Sequence, residues 1–220
     1  MADHLSAKSF TRLLVGLLTY LFLTPFIPQG SIAATVIVQG VLTLMLFFAA
    51  AAVQRKRSVA MSLMAVALVF HWLGVFSLVP YSADAGLTFF AIFYSLLIVA
   101  FLKQLRHAKT VNSGVIMVSL CLYLIIGLLW GTLYTLLYNF NPDAFSGALL
   151  ENAGTSSLHL FNYFSMVTLT TLGYGDITPQ TPEAASLCQM QAIVGQFYTA
   201  VLVAWLVGMY GKPIAANQKQ

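Results

Sequence analysis

The chain has 220 residues, 60% of them hydrophobic and 7% charged, with a mean hydropathy of +0.87. A water-soluble domain carries roughly 25% charged residues, so most of this surface cannot face water and its solvent is lipid. The net charge of +4 therefore says little about nucleic acid, and its information lies in where the charges fall along the chain.

Crossing about 30 Å of hydrocarbon takes a helix of around 20 apolar residues. Six segments qualify: 13–27, which is short and disturbed near its end by Pro25, then 32–53, 59–79, 87–102, 115–137 and 184–210. The apolar runs are continuous rather than alternating, which excludes a membrane β-barrel. Helices are then the structure that satisfies every backbone polar group inside lipid. Residues 1–34 also admit a reading as a secretory leader, with Lys8 and Arg12 ahead of the apolar stretch and Ser31, Ile32 and Ala33 as a cleavage site. A retained first span is the expectation adopted.

Lys8 and Arg12 precede the first segment, Arg55, Lys56 and Arg57 separate the second from the third, Lys103, Arg106 and Lys109 separate the fourth from the fifth, and Lys212 and Lys219 follow the sixth. With six spans these places share one side of the membrane and hold all 10 Lys and Arg residues. The positive-inside rule makes that side the cytoplasm, with both termini on it. Of the acids, Asp84, Asp143, Glu151, Asp176 and Glu183 fall on the other side. Cys121, early in the fifth span, and Cys188, near the outer start of the sixth, lie at different depths and read as small core residues rather than a disulfide.

Residues 138–183 do not span. Their first part is turn-rich and polar and reads as an external loop. From Thr155, Ser156 and Ser157, good N-cap residues, the chain turns apolar for about three helical turns. That is too short to cross and is best placed as a re-entrant helix between two spans. Two glycines then break the helix, and such backbone at membrane depth is tolerated only when buried in protein or lining a water-filled path.

The break reads Thr168-Leu169-Thr170-Thr171-Leu172-Gly173-Tyr174-Gly175-Asp176, with Pro179 beyond. Thr171 to Gly175 resembles the selectivity-filter signature of potassium channels. The resemblance implies a ring of backbone oxygens at Thr171, Leu172, Gly173 and Tyr174 that replaces the hydration shell of K+, with Thr171 closing the inner end. Carbonyls can face one side in succession if alternate residues take positive φ, which Gly173 and Gly175 allow without steric cost. Gly195, twenty residues after Gly175, stands where such channels carry a hinge glycine in the inner helix; a bend and a close packing contact both remain open for it. Gln196, Thr199 and Val203 would then line an inner cavity. Gly127 and Gly131 form a GxxxG pattern in the fifth span, suited to close approach of the sixth span or the short helix.

The resemblance covers roughly residues 113–211 and is imperfect. Leu172 stands where valine is usual. Tyr163 and Phe164 stand where many channels have two tryptophans that brace the filter tyrosine and the following aspartate. Tyr163 can still donate to Asp176, whereas Phe164 has no donor for Tyr174, so a less firmly braced filter, prone to slow inactivation, is expected. Val167 stands where some prokaryotic channels have a glutamate. The six-span plan resembles voltage-gated channels, but the fourth segment carries no charge, so steep voltage gating is not expected. His71 in the third segment is read as a hydrogen-bonded core residue, and His159 as a surface or cap residue. The stretch that follows the sixth span is short, so no cytosolic ligand-binding domain is expected there.

The expected fold is an all-α membrane protein of six transmembrane helices, with a re-entrant pore helix and filter loop between the fifth and sixth. Residues 1–110 would form a four-helix unit lacking voltage-sensing charges, and 111–220 a pore domain. The expected function is passive, K+-selective conduction by a homotetramer in a plasma membrane of prokaryotic type. Its partners would be K+, lipid and further copies of itself, with no nucleic acid and no cofactor beyond the permeant ion. A weakly selective cation channel, a K+ transporter and an accessory subunit are the alternatives. No catalytic constellation is apparent.

Overall fold

The computed structural model describes residues 7–27, 31–53, 57–76, 78–108, 110–151 and 157–210. Arg55, Lys56, Lys109, Lys212 and Lys219, and the caps expected at Thr155 and Ser156, lie outside the described residues.

Six described helices are long and apolar enough to cross a membrane. α1 (Ala7–Leu18) continues as a π turn, Thr19–Leu23, and a 3₁₀ turn, Thr24–Phe26. The change of pitch is where Pro25, which has no N–H, interrupts the α-helical ladder. α2 (Ile32–Ala52) opens on Ser31, whose hydroxyl accepts the Ala34 N–H at 3.1 Å. α3 (Arg57–Val75) stops four residues before the boundary expected from hydropathy, and α4 (Ser82–Arg106) starts five residues sooner. Polar Ser82 and Asp84 close the apolar window without ending the helix, because a span can carry polar residues at its interfacial end. α5 (Ser113–Phe140) is capped by the Asn112 side chain, which accepts the Val115 N–H at 3.0 Å.

α5 is the hub. α1 and α4 pack directly on it, while α2 and α3 complete the ring, α3 lying along α4. Gly86 lets α4 touch α3: an added Cβ would stand 2.8 Å from the His71 Cα. One apolar core runs without a break from Phe10 and Leu17 in α1 through Phe93 and Leu97 in α4 to Val118 and Ile125 in α5. His71 is buried in it with its Nε2 2.8 Å from the Gln39 Oε1, as a hydrogen-bonded core histidine should be. At the far ends Asn139 donates to Asp84 at 2.7 Å, tying the end of α5 to the start of α4.

After α5 come a strand β1 (Phe145–Ser146), a single helical turn α6 (Ala148–Glu151), α7 (Ser157–Leu169), a strand β2 (Thr178–Pro179) and α8 (Pro182–Tyr210). α7 has 13 residues, too few to span. It packs chiefly on α5, with α8 across its other side. Both cysteines are free, Cys121 buried beside the Phe10 carbonyl at 3.5 Å.

Candidate functional site

The seat of α7 is cut by glycines. A Cβ on Gly131 would stand 2.9 Å from the Asn162 Cα, and one on Gly127 would meet the Met166 side chain. The GxxxG pair therefore receives α7, one of the two partners expected for it. Ser165 donates to the Gly127 carbonyl at 2.6 Å across the same contact. On the other side, a Cβ on Gly195 would be 2.4 Å from the Leu169 carbonyl oxygen. That backbone atom has no freedom to yield, so Gly195 makes the close contact that was one of its two expected roles.

α7 ends in a Schellman motif. The Leu172 N–H reaches the Val167 carbonyl at 2.9 Å and the Thr171 N–H reaches Thr168 at 3.0 Å, the paired bonds of that cap. Its left-handed position, usually glycine, is Thr171, with φ of 60°. For a β-branched residue this is a strained conformation, and nothing in the sequence signalled it. Gly173 and Gly175 follow with φ of 61° and 79°. Positive φ thus recurs at every second residue, Thr171, Gly173 and Gly175, the alternation that turns successive carbonyls to one side.

Among the described residues, no hydrogen bond to the carbonyl oxygens of Thr171 to Gly175 is formed. Apart from each glycine and its chain neighbours, no described atom lies within 4 Å of where a Cβ on Gly173 or Gly175 would be. Leu172 is 55% and Tyr174 67% exposed in the single chain. The Thr171 hydroxyl accepts from the Gln196 amide at 3.2 Å, which joins the foot of the segment to α8.

The outer end is pinned. Tyr163 donates to the Asp176 carboxylate at 2.5 Å, and the other carboxylate oxygen accepts the Ile177 N–H at 3.0 Å. Asp176 as acceptor, together with burial and its negative charge, pushes the Tyr163 hydroxyl from 10.0 up to about 12, so it stays a donor at any physiological pH. Phe164 turns away from this contact and packs its ring on Tyr134 and Phe145, with centroids 5.1 and 5.8 Å apart. Val167 is buried and serves through its carbonyl.

Three supports escaped the sequence. β1 pairs antiparallel with β2, Phe145 opposite Pro179 and Ser146 opposite Thr178. This brings Gly147 so near Asp176 that a Cβ would overlap the aspartate's carbonyl oxygen at 2.0 Å. Gln191, 0% exposed, accepts from the Tyr134 hydroxyl at 2.5 Å and donates to the Ser165 carbonyl and hydroxyl at 3.0 and 2.7 Å. It locks α8 to α5 and α7, and a glutamine one turn before Gly195, with Gln189 and Gln196 close by in the same helix, was the available clue. Asn162 donates to the Tyr20 hydroxyl at 3.3 Å, linking α7 to the π turn after α1. Of the residues expected to line a cavity, Gln196, Thr199 and Val203 share one exposed face of α8, where Thr199 turns its hydroxyl onto the carbonyls of Gly195 and Gln196 at 3.2 and 3.0 Å.

Residues 118–212 match the family model described as an ion channel. That stretch of the chain is similar to ion channels. The matched stretch begins within α5 and takes in α7, the 170–176 segment and α8. Among curated proteins, the inward rectifier potassium channel Kirbac3.1 of Paramagnetospirillum magnetotacticum is 32% identical over 69 residues, 31% of this chain. The aligned stretch spans 23% of that relative's length. No solved structure matches. The name of that relative agrees with the potassium-channel resemblance of the motif, and both matches point to an ion channel rather than an enzyme.

Proposed function

We propose that this chain is the subunit of a passive K+-selective channel. The observation that carries the reading is the alternation of positive φ at Thr171, Gly173 and Gly175, with carbonyl oxygens that accept no hydrogen bond among the described residues. A dehydrated cation needs such oxygens. The sites would lie at Thr171, Leu172, Gly173 and Tyr174, on a re-entrant α7 whose partly negative C-terminus favours a cation beneath it. The name of the matched relative supports K+ as the ion.

One such segment cannot surround an ion, so four copies would form the path on a symmetry axis. The polar face of α8, Gln196 and Thr199, supports this, since lipid disfavours it and a water-filled cavity would not. In this reading the cytoplasm lies at the basic ends of the spans, the membrane is a plasma membrane of prokaryotic type, and residues 1–110 surround a pore domain of 111–220. α4 has no charge between Asp84 and Lys103, which supports gating that is not steeply voltage-dependent.

The test is K+ against Na+ flux into liposomes holding purified protein. K+ flux should exceed Na+ flux by a wide margin. Gly173→Ala, which forces a Cβ into positive φ, should abolish the selective flux. Equal flux of the two ions in the parent protein would instead favour a weakly selective cation channel. Phe164, which offers Tyr174 no hydrogen bond, is the observation on that side. Absence of any flux would favour the accessory-subunit alternative, and flux that requires a coupled ion would favour a transporter.

A further inference from the structure

Between α1 and α2 lies a slot of about 280 Å³ lined by Arg12, Val15, Gly16, Leu44, Met45 and Phe48, among others. On α1 the lining runs from Thr11 to Thr19, about 12 Å of helix at 1.5 Å per residue. Gly16 forms its waist: an added Cβ would stand 3.5 Å from the Met45 Cα, so the helices approach closely there. Val15 and Leu44 stay exposed at the rim, leaving the slot open sideways to lipid.

A guanidinium stands at one end of this apolar slot. Arg12 is preceded one turn earlier by Lys8 on the same helix face. The described carboxylates, Asp84, Asp143, Glu151, Asp176 and Glu183, all sit at the opposite ends of the spans. No described protein group there can neutralise Arg12. A planar guanidinium matches phosphate oxygens two at a time, and basic clefts between spanning helices suit anionic headgroups.

We propose that this slot is a binding site for an anionic phospholipid. The phosphate rests on Arg12 within reach of Lys8, and the upper part of one acyl chain lies along Val15, Leu44 and Phe48. A small soluble anion would answer the charge and leave the apolar length empty, which is why the occupant is a lipid. The proposal rests on α1 and α2 being membrane spans and is independent of ion conduction.

The test measures lipid retained by the purified full-length protein by native mass spectrometry, with phosphatidylglycerol and phosphatidylcholine of equal chain length as probes. Phosphatidylglycerol should be retained in preference. Arg12→Gln should lower its affinity about five-fold, the worth of one basic side chain at an anionic surface. Val15→Trp, which crowds the rim, should weaken both lipids. Lys103→Gln, a charge at the same end but outside the slot, should change nothing. Arg12 and Val15 are exposed, so these variants should fold, and unchanged helical circular dichroism checks this. Equal retention by Arg12→Gln and parent would overturn the proposal. So would an equal loss in Lys103→Gln, or displacement of the lipid by millimolar inorganic phosphate.

Discussion

At Thr171 the backbone holds a φ of 60° in a helix cap where glycine would serve at lower cost. A threonine held there stores about 1 to 2 kcal/mol of strain, and what it supplies in return is a hydroxyl at the foot of the carbonyl row. Thr171→Gly should therefore keep or raise thermal stability, by about 1 kcal/mol, while reducing selective K+ flux. A variant that loses stability and keeps its flux would refute the functional reading of that strain. Tyr163 gives a second case. Its hydroxyl titrates at about 12 in the folded protein against an ordinary 10.0. Because the folded value is raised, the stabilisation is whole below pH 10 and is lost as pH climbs from about 10 to about 12. Tyr163→Phe should melt below the parent at pH 8, by the equivalent of about 1 kcal/mol, and the gap should narrow as pH climbs from about 10 to about 12. A gap undiminished at pH 12 would mean the hydroxyl is not its source. Restoring a tryptophan at 164 is no simple remedy for a weak brace, since Phe164 is enclosed by Tyr134 and Phe145.

At the scale of elements, α7 is held by matched absences and one polar lock. Gly127, Gly131 and Gly195 remove side chains where α5 and α8 must come close. Gln191 then bonds Tyr134 on α5 and Ser165 on α7 from a fully buried position. Gln191→Leu leaves the Tyr134 and Ser165 hydroxyls short of a partner in an apolar surrounding. We expect a loss of about 1 to 2 kcal/mol in detergent unfolding, with part of it recovered in Gln191→Leu/Tyr134→Phe. No recovery in the double variant would show that the two side chains act independently. This lock was hard to read in advance, because Gln189, Gln191 and Gln196 stand close together and the sequence does not say which of them faces which helix. The existence of α7 and the glycine break was plain, since an apolar stretch too short to span has few places to go.

At the scale of the whole molecule, α1 to α4 do not stand apart from α5 and α7. α1 and α4 pack on α5 within one continuous core, and the Tyr20 hydroxyl reaches Asn162 on α7. With no charge along α4 between Asp84 and Lys103, the membrane field has nothing there to move, whereas each crossing charge would contribute about 2.3 kcal/mol per 100 mV. Conductance in planar bilayers should therefore change only shallowly between −100 and +100 mV, a range set by that energy scale. A steep rise in open probability would contradict this.

Composition alone determined the solvent, and the length of the apolar runs determined six spans, because both follow from what lipid permits the backbone to expose. The two glycines at 173 and 175 also announced a backbone with positive φ, since few other residues accept it. Tertiary structure decided the rest. It chose α7 as the partner of the GxxxG pair, joined β1 to β2 across the outer end, and placed strain at Thr171 and a buried amide at Gln191. These depend on which surfaces meet at distances of a few ångströms, and a one-dimensional pattern carries periodicity and length but not the neighbour across the gap.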